Sequence, residues 1–175
     1  MRHFASDPPV EERLGEALLQ TGQTIAVAES CTGGLVGSLV TDVPGASDYF
    51  DRSLVTYAYD AKLTELAVPR EDLDEHGAVS EPVARAMARA VRDVADTDWG
   101  VSTTGIAGPE GGSEATPVGT VYVGVAYAGE WGSGDSFADV TRHVFDGDRL
   151  EIKEQIARKA LERVLEAVQE RAERD

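Results

Sequence analysis

The chain has 175 residues, 42% of them hydrophobic, and carries 32 acidic against 16 basic side chains, a formal charge of −16. That length suits one domain with a full hydrophobic core, and the charge disfavours a purely electrostatic grip on DNA or RNA. A single cysteine, Cys31, precludes an intramolecular disulfide or a zinc site of several thiolates, and no apolar run approaches the roughly 20 residues that span a bilayer.

Residues 1–9 lack the apolar core of a signal peptide and read as a short disordered lead-in; residues 10–172 read as a single domain. Val10, Leu14, Ala17 and Leu18 recur at helical spacing, predicting a helix over 10–20 with Gly22 as its stop. An apolar strand follows over 24–28, then a helix over 32–41, ended by Val43-Pro44-Gly45. A second strand is predicted over 51–57 and a short helix over 60–66. Ser80-Glu81-Pro82 opens a helix to about Val94, with Ser80 placed to cap its first turn and Pro82 just inside it.

Strands follow over 99–103 and 119–126, separated by a glycine-rich loop over 105–112, and 137–145 alternates as a neighbour to the latter strand. Leu150, Ile152, Ile156, Ala160, Leu161, Val164 and Val168 mark a long amphipathic helix over 148–171. Helix-separated strands early and adjacent strands late give an α/β fold, a three-layer α/β/α arrangement around a mixed sheet.

The segment Ala28-Glu29-Ser30-Cys31-Thr32-Gly33-Gly34 falls where the first strand runs out. Open α/β sheets keep their ligands outside the carboxyl ends of strands. Ser30 and Cys31 are both candidate nucleophiles there, because the N–H groups of a following helix can hold an oxyanion. The plainer reading of the same residues is a helix cap at Ser30 or Thr32 and a small buried hydrophobe at Cys31.

A serine needs a base. His3 stands in the lead-in, His76 in a charged loop and His143 on a strand, and none is recommended by its context. A desolvated lysine serves the same purpose, which directs attention to Lys62, the only lysine before Lys153. Its plainer reading is a solvated helix lysine paired with Asp60 or Glu65. In Ser102-Thr103-Thr104-Gly105-Ile106-Ala107-Gly108, glycines let backbone N–H groups approach an anion while the threonine hydroxyls donate to substrate. That segment matches neither the P-loop nor the dinucleotide fingerprint. No spacing of His, Cys, Asp and Glu resembles a zinc or calcium ligand set.

Together these segments resemble the amidase domain found at the C-terminus of CinA (competence/damage-inducible) proteins and in stand-alone nicotinamide mononucleotide deamidases. The matching blocks are Ala28 through Gly34, Tyr57 through Lys62, Gly77 through Val83, Gly105 through Pro109 with Gly111-Gly112, Pro117 through Val121, and Arg142 through Phe145 with Gly147-Asp148-Arg149. The resemblance implies hydrolysis of the carboxamide of nicotinamide mononucleotide to nicotinic acid mononucleotide and ammonia, a step of pyridine-nucleotide recycling, with no metal or organic cofactor. It makes Ser30 the nucleophile, Lys62 the group that takes its proton and Tyr57 an orienting or relaying neighbour. Glu29, Cys31, Thr32, Gly33, Gly34, Thr103, Thr104, Gly105 and Gly108 would line the substrate pocket.

Against a charge of −16, local cations must compensate near the nucleotide phosphate. The candidates are Arg52, Arg85, Arg142 and Arg149, with Arg142 and Arg149 inside the matching blocks. Three positions depart from the family pattern: Tyr59 for asparagine, Ala58 for serine and Thr116 for lysine. They leave a second reading open, a nucleotide-binding or partner-binding module of the same fold with weak or no turnover. The remaining expectations are a cytoplasmic location, a small-molecule nucleotide as partner in place of nucleic acid or membrane, and compatibility with a homodimer. The uniformly spread acidity fits a high-salt habitat and an acidic mesophilic protein alike.

Overall fold

A computed structural model describes residues 3–174. Five strands form one sheet in the order β2-β1-β3-β4-β5, with β1 (Ile25–Glu29), β2 (Phe50–Val55) and β3 (Trp99–Gly105) parallel, and β4 (Thr120–Tyr127) antiparallel to both β3 and β5 (Phe137–Val144). Six helices cover it: α1 (Val10–Thr21), α2 (Leu35–Thr41), α3 (Tyr59–Leu66), α4 (Arg70–His76), α5 (Glu81–Ala95) and α6 (Arg149–Ala172). The fold is therefore a three-layer α/β/α arrangement with a mixed sheet.

Alternation along the strands sets the two faces. Ile25, Val27, Trp99, Val101, Val121 and Val123 point into a core closed by α1, α2 and α6. Ala26 and Ala28 point the other way, into a core shared with Leu66 of α3, Leu73 of α4 and Val83, Met87 and Val91 of α5. That second face is lined by small residues because α5 lies directly on it: a β-carbon on Gly100 would stand 2.1 Å from the Ala88 carbonyl oxygen. The Ser102 hydroxyl donates to the Ala84 carbonyl across the same contact.

Helix boundaries follow their capping chemistry. Gly22 ends α1 in the left-handed conformation, and Asp148 opens α6 with a capping box shared with Glu151. Three expectations are corrected. The second helix begins at Leu35 and not at Thr32, because Gly33 and Gly34 take positive φ and 31–34 form a turn. Ser80 stands at the N-cap position of α5, but its hydroxyl donates backward to the Gly77 carbonyl. His76 closes α4, a helix that the charged sequence of 70–76 did not announce, rather than lying in a loop.

Upstream of α1, the backbone N–H groups of His3 and Phe4 donate to the Glu154 carboxylate on α6. Met1 and Arg2 lie outside the described residues. Among the described residues no helix is long and apolar enough to cross a membrane.

Candidate active site

The carboxyl ends of the parallel strands β1 and β3 meet at Ser30. The Ser30 N–H donates to the Thr103 carbonyl at 2.9 Å, which ties the first residue beyond β1 to the end of β3. On the other side the Thr56 N–H donates to the Glu29 carbonyl at 2.8 Å, so the chain leaving β2 is tied to β1 as it turns toward α3. The first turn of α3 then delivers Lys62 underneath Ser30.

Lys62 Nζ lies 3.0 Å from Ser30 Oγ, 2.6 Å from the Thr56 carbonyl and 3.3 Å from the Tyr57 carbonyl. The residue is fully buried, and among the described residues no carboxylate is within ion-pair distance of it; the pairing with Asp60 or Glu65 does not form. Burial without a counter-ion lowers its pKa from the ordinary lysine value of 10.5. A neutral amine has two N–H bonds and one lone pair. In that form the two carbonyls would accept the N–H bonds and the lone pair would face the Ser30 hydroxyl; in the charged form Nζ donates to all three oxygens. Ser30 retains a small opening to solvent at 8% exposure.

Glu29 is tied up internally by its carboxylate. It is fully buried, and its carboxylate accepts from the N–H groups of Gly34, Val36 and Gly37 and from the hydroxyls of Thr32 and Ser53. It caps α2 from the neighbouring strand, where the positive end of the helix dipole favours a negative charge. The N–H groups of Cys31 and Thr32 are not among the donors it takes. Because the one Thr32 hydroxyl proton goes to Glu29, Thr103 is the donor in the 2.8 Å hydroxyl pair between Thr103 and Thr32. The Thr104 hydroxyl donates to the Ala78 carbonyl at 2.6 Å. Thr32, Thr103 and Thr104 thus spend their hydroxyls on internal bonds that fix the floor of the site.

The Cys31 thiol is buried beside Ser30, and burial pushes its pKa up to about 12. It stays protonated at neutral pH and is a poor nucleophile. The structure therefore separates the two nucleophile candidates: Ser30 faces the Lys62 amine and Cys31 faces the core.

Tyr57 is 60% exposed, and its hydroxyl accepts from Arg149 Nη2 at 3.2 Å rather than meeting Ser30 or Lys62. Arg149 also donates to the Gly108 carbonyl, so α6, the glycine loop and Tyr57 converge on one side of the mouth. Of the four candidate arginines, Arg52 pairs with Asp51, Arg85 with Glu81 and the Ala138 carbonyl, and Arg142 sits on β5 opposite Tyr122. Tyr122 in turn stands opposite Thr104 at the end of β3, so Arg142 is two strands removed from the site. Lys153, which the sequence reading passed over, has its Nζ 3.6 Å from where a β-carbon on Gly33 would stand. It is one helical turn beyond Arg149 on α6, a spacing that places both on one face and was visible in the sequence. Among the described residues no group of three or more His, Cys, Asp or Glu side chains is placed to hold a metal ion.

The model of the CinA C-terminal domain family matches residues 7–168. A CinA-like protein of Chloroherpeton thalassium is 47% identical over 164 residues, covering 94% of this chain and 38% of its own length. A CinA-like protein of Salinibacter ruber is 51% identical over 156 residues, covering 89% of this chain and 36% of its own length. The chain therefore spans well under half the length of these relatives. The crystal structure of a CinA superfamily protein from Enterobacter cloacae superposes with a TM-score of 0.85 at 29% identity, covering 95% of this chain and 94% of that one. The competence/damage-inducible protein CihA of Agrobacterium tumefaciens gives 0.82 at 35% identity, with 97% and 99% covered. With the family profile spanning nearly the whole domain and the fold matching throughout, the chain belongs to the CinA C-terminal domain family.

Proposed function

We propose that this protein is an amidohydrolase that converts nicotinamide mononucleotide to nicotinic acid mononucleotide and ammonia, with Ser30 as nucleophile and Lys62 as its base. The observation that carries the reading is the buried Lys62 Nζ, 3.0 Å from Ser30 Oγ and held there by two backbone carbonyls. Neutral Lys62 takes the hydroxyl proton as Ser30 Oγ bonds to the carboxamide carbon. The developing oxyanion faces the turn at 31–34, where the N–H groups of Cys31 and Thr32 are free of Glu29. The C–N bond then breaks, and protonated Lys62 returns its proton to the leaving nitrogen, which departs as ammonia. Water attacks the acyl-serine ester and gives a proton to Lys62; as the ester C–O bond breaks, Lys62 passes that proton to Ser30 Oγ, which releases the acid and restores the serine hydroxyl and the neutral amine together.

Arg149 and Lys153 supply positive charge at the mouth, suited to the nucleotide phosphate. The deciding experiment is ammonia release from nicotinamide mononucleotide and from nicotinamide riboside by the intact protein and by Ser30→Ala. Release that depends on Ser30 and is faster with the phosphate present supports the reading. Saturable nucleotide binding with no product from a folded protein would mark a binding module instead.

A further inference from the structure

Large apolar side chains left exposed on this protein are mostly scattered, but Val55, Tyr57 and Tyr59 fall within five residues at 48%, 60% and 52% exposure. All three belong to the segment that leads from the end of β2 into the helix carrying Lys62, and the Tyr57 carbonyl accepts from Lys62 Nζ. Val55 lies against the turn, 3.7 Å from where a β-carbon on Gly34 would stand. The two tyrosines are drawn apart by their hydroxyls. Tyr57 is held toward α6 by Arg149, whereas the Tyr59 hydroxyl accepts from the Ala78 N–H at 3.2 Å, on the α5 side. Ala78 is itself fixed to the end of β3, because its carbonyl accepts from Thr104.

Each ring is therefore anchored at both ends, by its own backbone and by its hydroxyl, and yet half of it remains open to solvent. A tyrosine needed only for its bond to Ala78 would have no reason to leave its ring exposed. Pre-fixed aromatic faces lose little entropy on binding, and their electron-rich faces attract cations. The strongly acidic chain adds to that preference.

We propose that Tyr59 is a specificity-determining residue that, with Tyr57, frames the mouth as an aromatic slot for a flat, cationic heteroaromatic ring bearing the scissile carboxamide. The inference rests on the nucleotide reading above and deepens it. The slot receives the pyridinium ring from the α3 side, while Arg149 and Lys153 meet the phosphate from the α6 side. A substrate with opposite charges at its two ends is thereby aligned over Ser30.

The test is calorimetric titration of nicotinamide mononucleotide into Ser30→Ala protein carrying Tyr59, Tyr59→Phe or Tyr59→Leu, with ribose 5-phosphate as the ringless probe. Tyr59→Leu is expected to weaken nucleotide binding about fivefold or more. Tyr59→Phe, which keeps the ring but gives up the hydroxyl anchor, binds with an affinity between those of Tyr59→Leu and Tyr59, and ribose 5-phosphate binds all three alike. Equal nucleotide affinity of Tyr59→Leu and Tyr59 overturns the inference, as does an equal loss for both ligands or an absence of nucleotide binding to Ser30→Ala. Tyr59-dependent binding by a protein whose wild type releases no ammonia sinks the amidase reading and leaves the slot standing.

Discussion

Lys62 Nζ stands 3.0 Å from Ser30 Oγ although the two residues are 32 apart in the chain, and its other two hydrogen bonds end on the carbonyls of Thr56 and Tyr57. Three acceptors suit an ammonium and two suit an amine whose lone pair is on duty, so the proposed reaction turns on the protonation state of one buried nitrogen.

The first prediction concerns pH. Burial lowers the Lys62 pKa from 10.5, and the proposed mechanism runs through the neutral form. The rate of ammonia release is expected to rise with pH along a limb whose apparent pKa lies below 10.5. Lys62→Met is expected to reduce kcat by about 10²–10⁴-fold. A pH–rate profile of the wild type with its rising limb at 10.5 would show that desolvation does not tune this lysine.

Cys31 should be chemically quiet. With its thiol pushed up to about 12, it holds little thiolate at pH 8, and alkylation by iodoacetamide is expected to be far slower than for a free thiol. Cys31→Ala is expected to retain activity within a few fold, whereas Ser30→Ala abolishes it. Mass spectrometry of the alkylated protein beside the two rates checks both statements.

Glu29→Gln is not a conservative change here. Both carboxylate oxygens accept: Oε2 takes Thr32, Gly34 and Val36, and Oε1 takes Gly37 and Ser53. A glutamine would turn its NH₂ toward at least two of these donors in either orientation. The variant is expected to lose at least about 2 kcal/mol of stability, read as the shift in a urea denaturation midpoint at constant slope.

Arg158 is buried between two carboxylates, 2.8 Å from Glu11 and 3.0 Å from Glu154. Arg158→Met would leave both acids together without their cation, at an expected cost of about 3–5 kcal/mol. Burial alone would raise the Glu154 pKa, but hydrogen bonds from the Phe4 N–H, Arg158 and the His3 N–H hold it below its ordinary 4.5. A folded-state value below the unfolded one stabilises the protein fully above pH 4.5 and is lost as pH falls through the folded value. The stability gap between wild type and Glu154→Gln is therefore expected to close as pH is lowered below 4.5 in a series of urea titrations.

Much of the fold was legible in the sequence because it rests on local periodicity. Apolar residues at helical spacing announced α1 and α6, and the apolar run before Glu29 announced β1. Helix α4 was not legible, since Arg70 through His76 contain one buried apolar side chain, Leu73, and no repeating face. The start of α2 was misplaced for a related reason: sequence shows Gly33 and Gly34, but not that both take positive φ and hand the helix cap to Glu29.

By itself the sequence determined the α/β class and, through its motifs, the family, and it pointed to the strand end that carries the candidate site. It also put Ser30 and Lys62 among a handful of candidates. Only the tertiary structure decided that Lys62 is buried without a counter-ion against Ser30, that Glu29 caps a helix, and that Arg149 stands against Tyr57 and Lys153 against Gly33. Those outcomes depend on which strands become neighbours. Parallel pairing of β1 with β2 and β3 sets Glu29, Val55 and Thr103 side by side and so brings Ser30 and Thr56 together just beyond them, and no local pattern in a chain records the register of its distant segments.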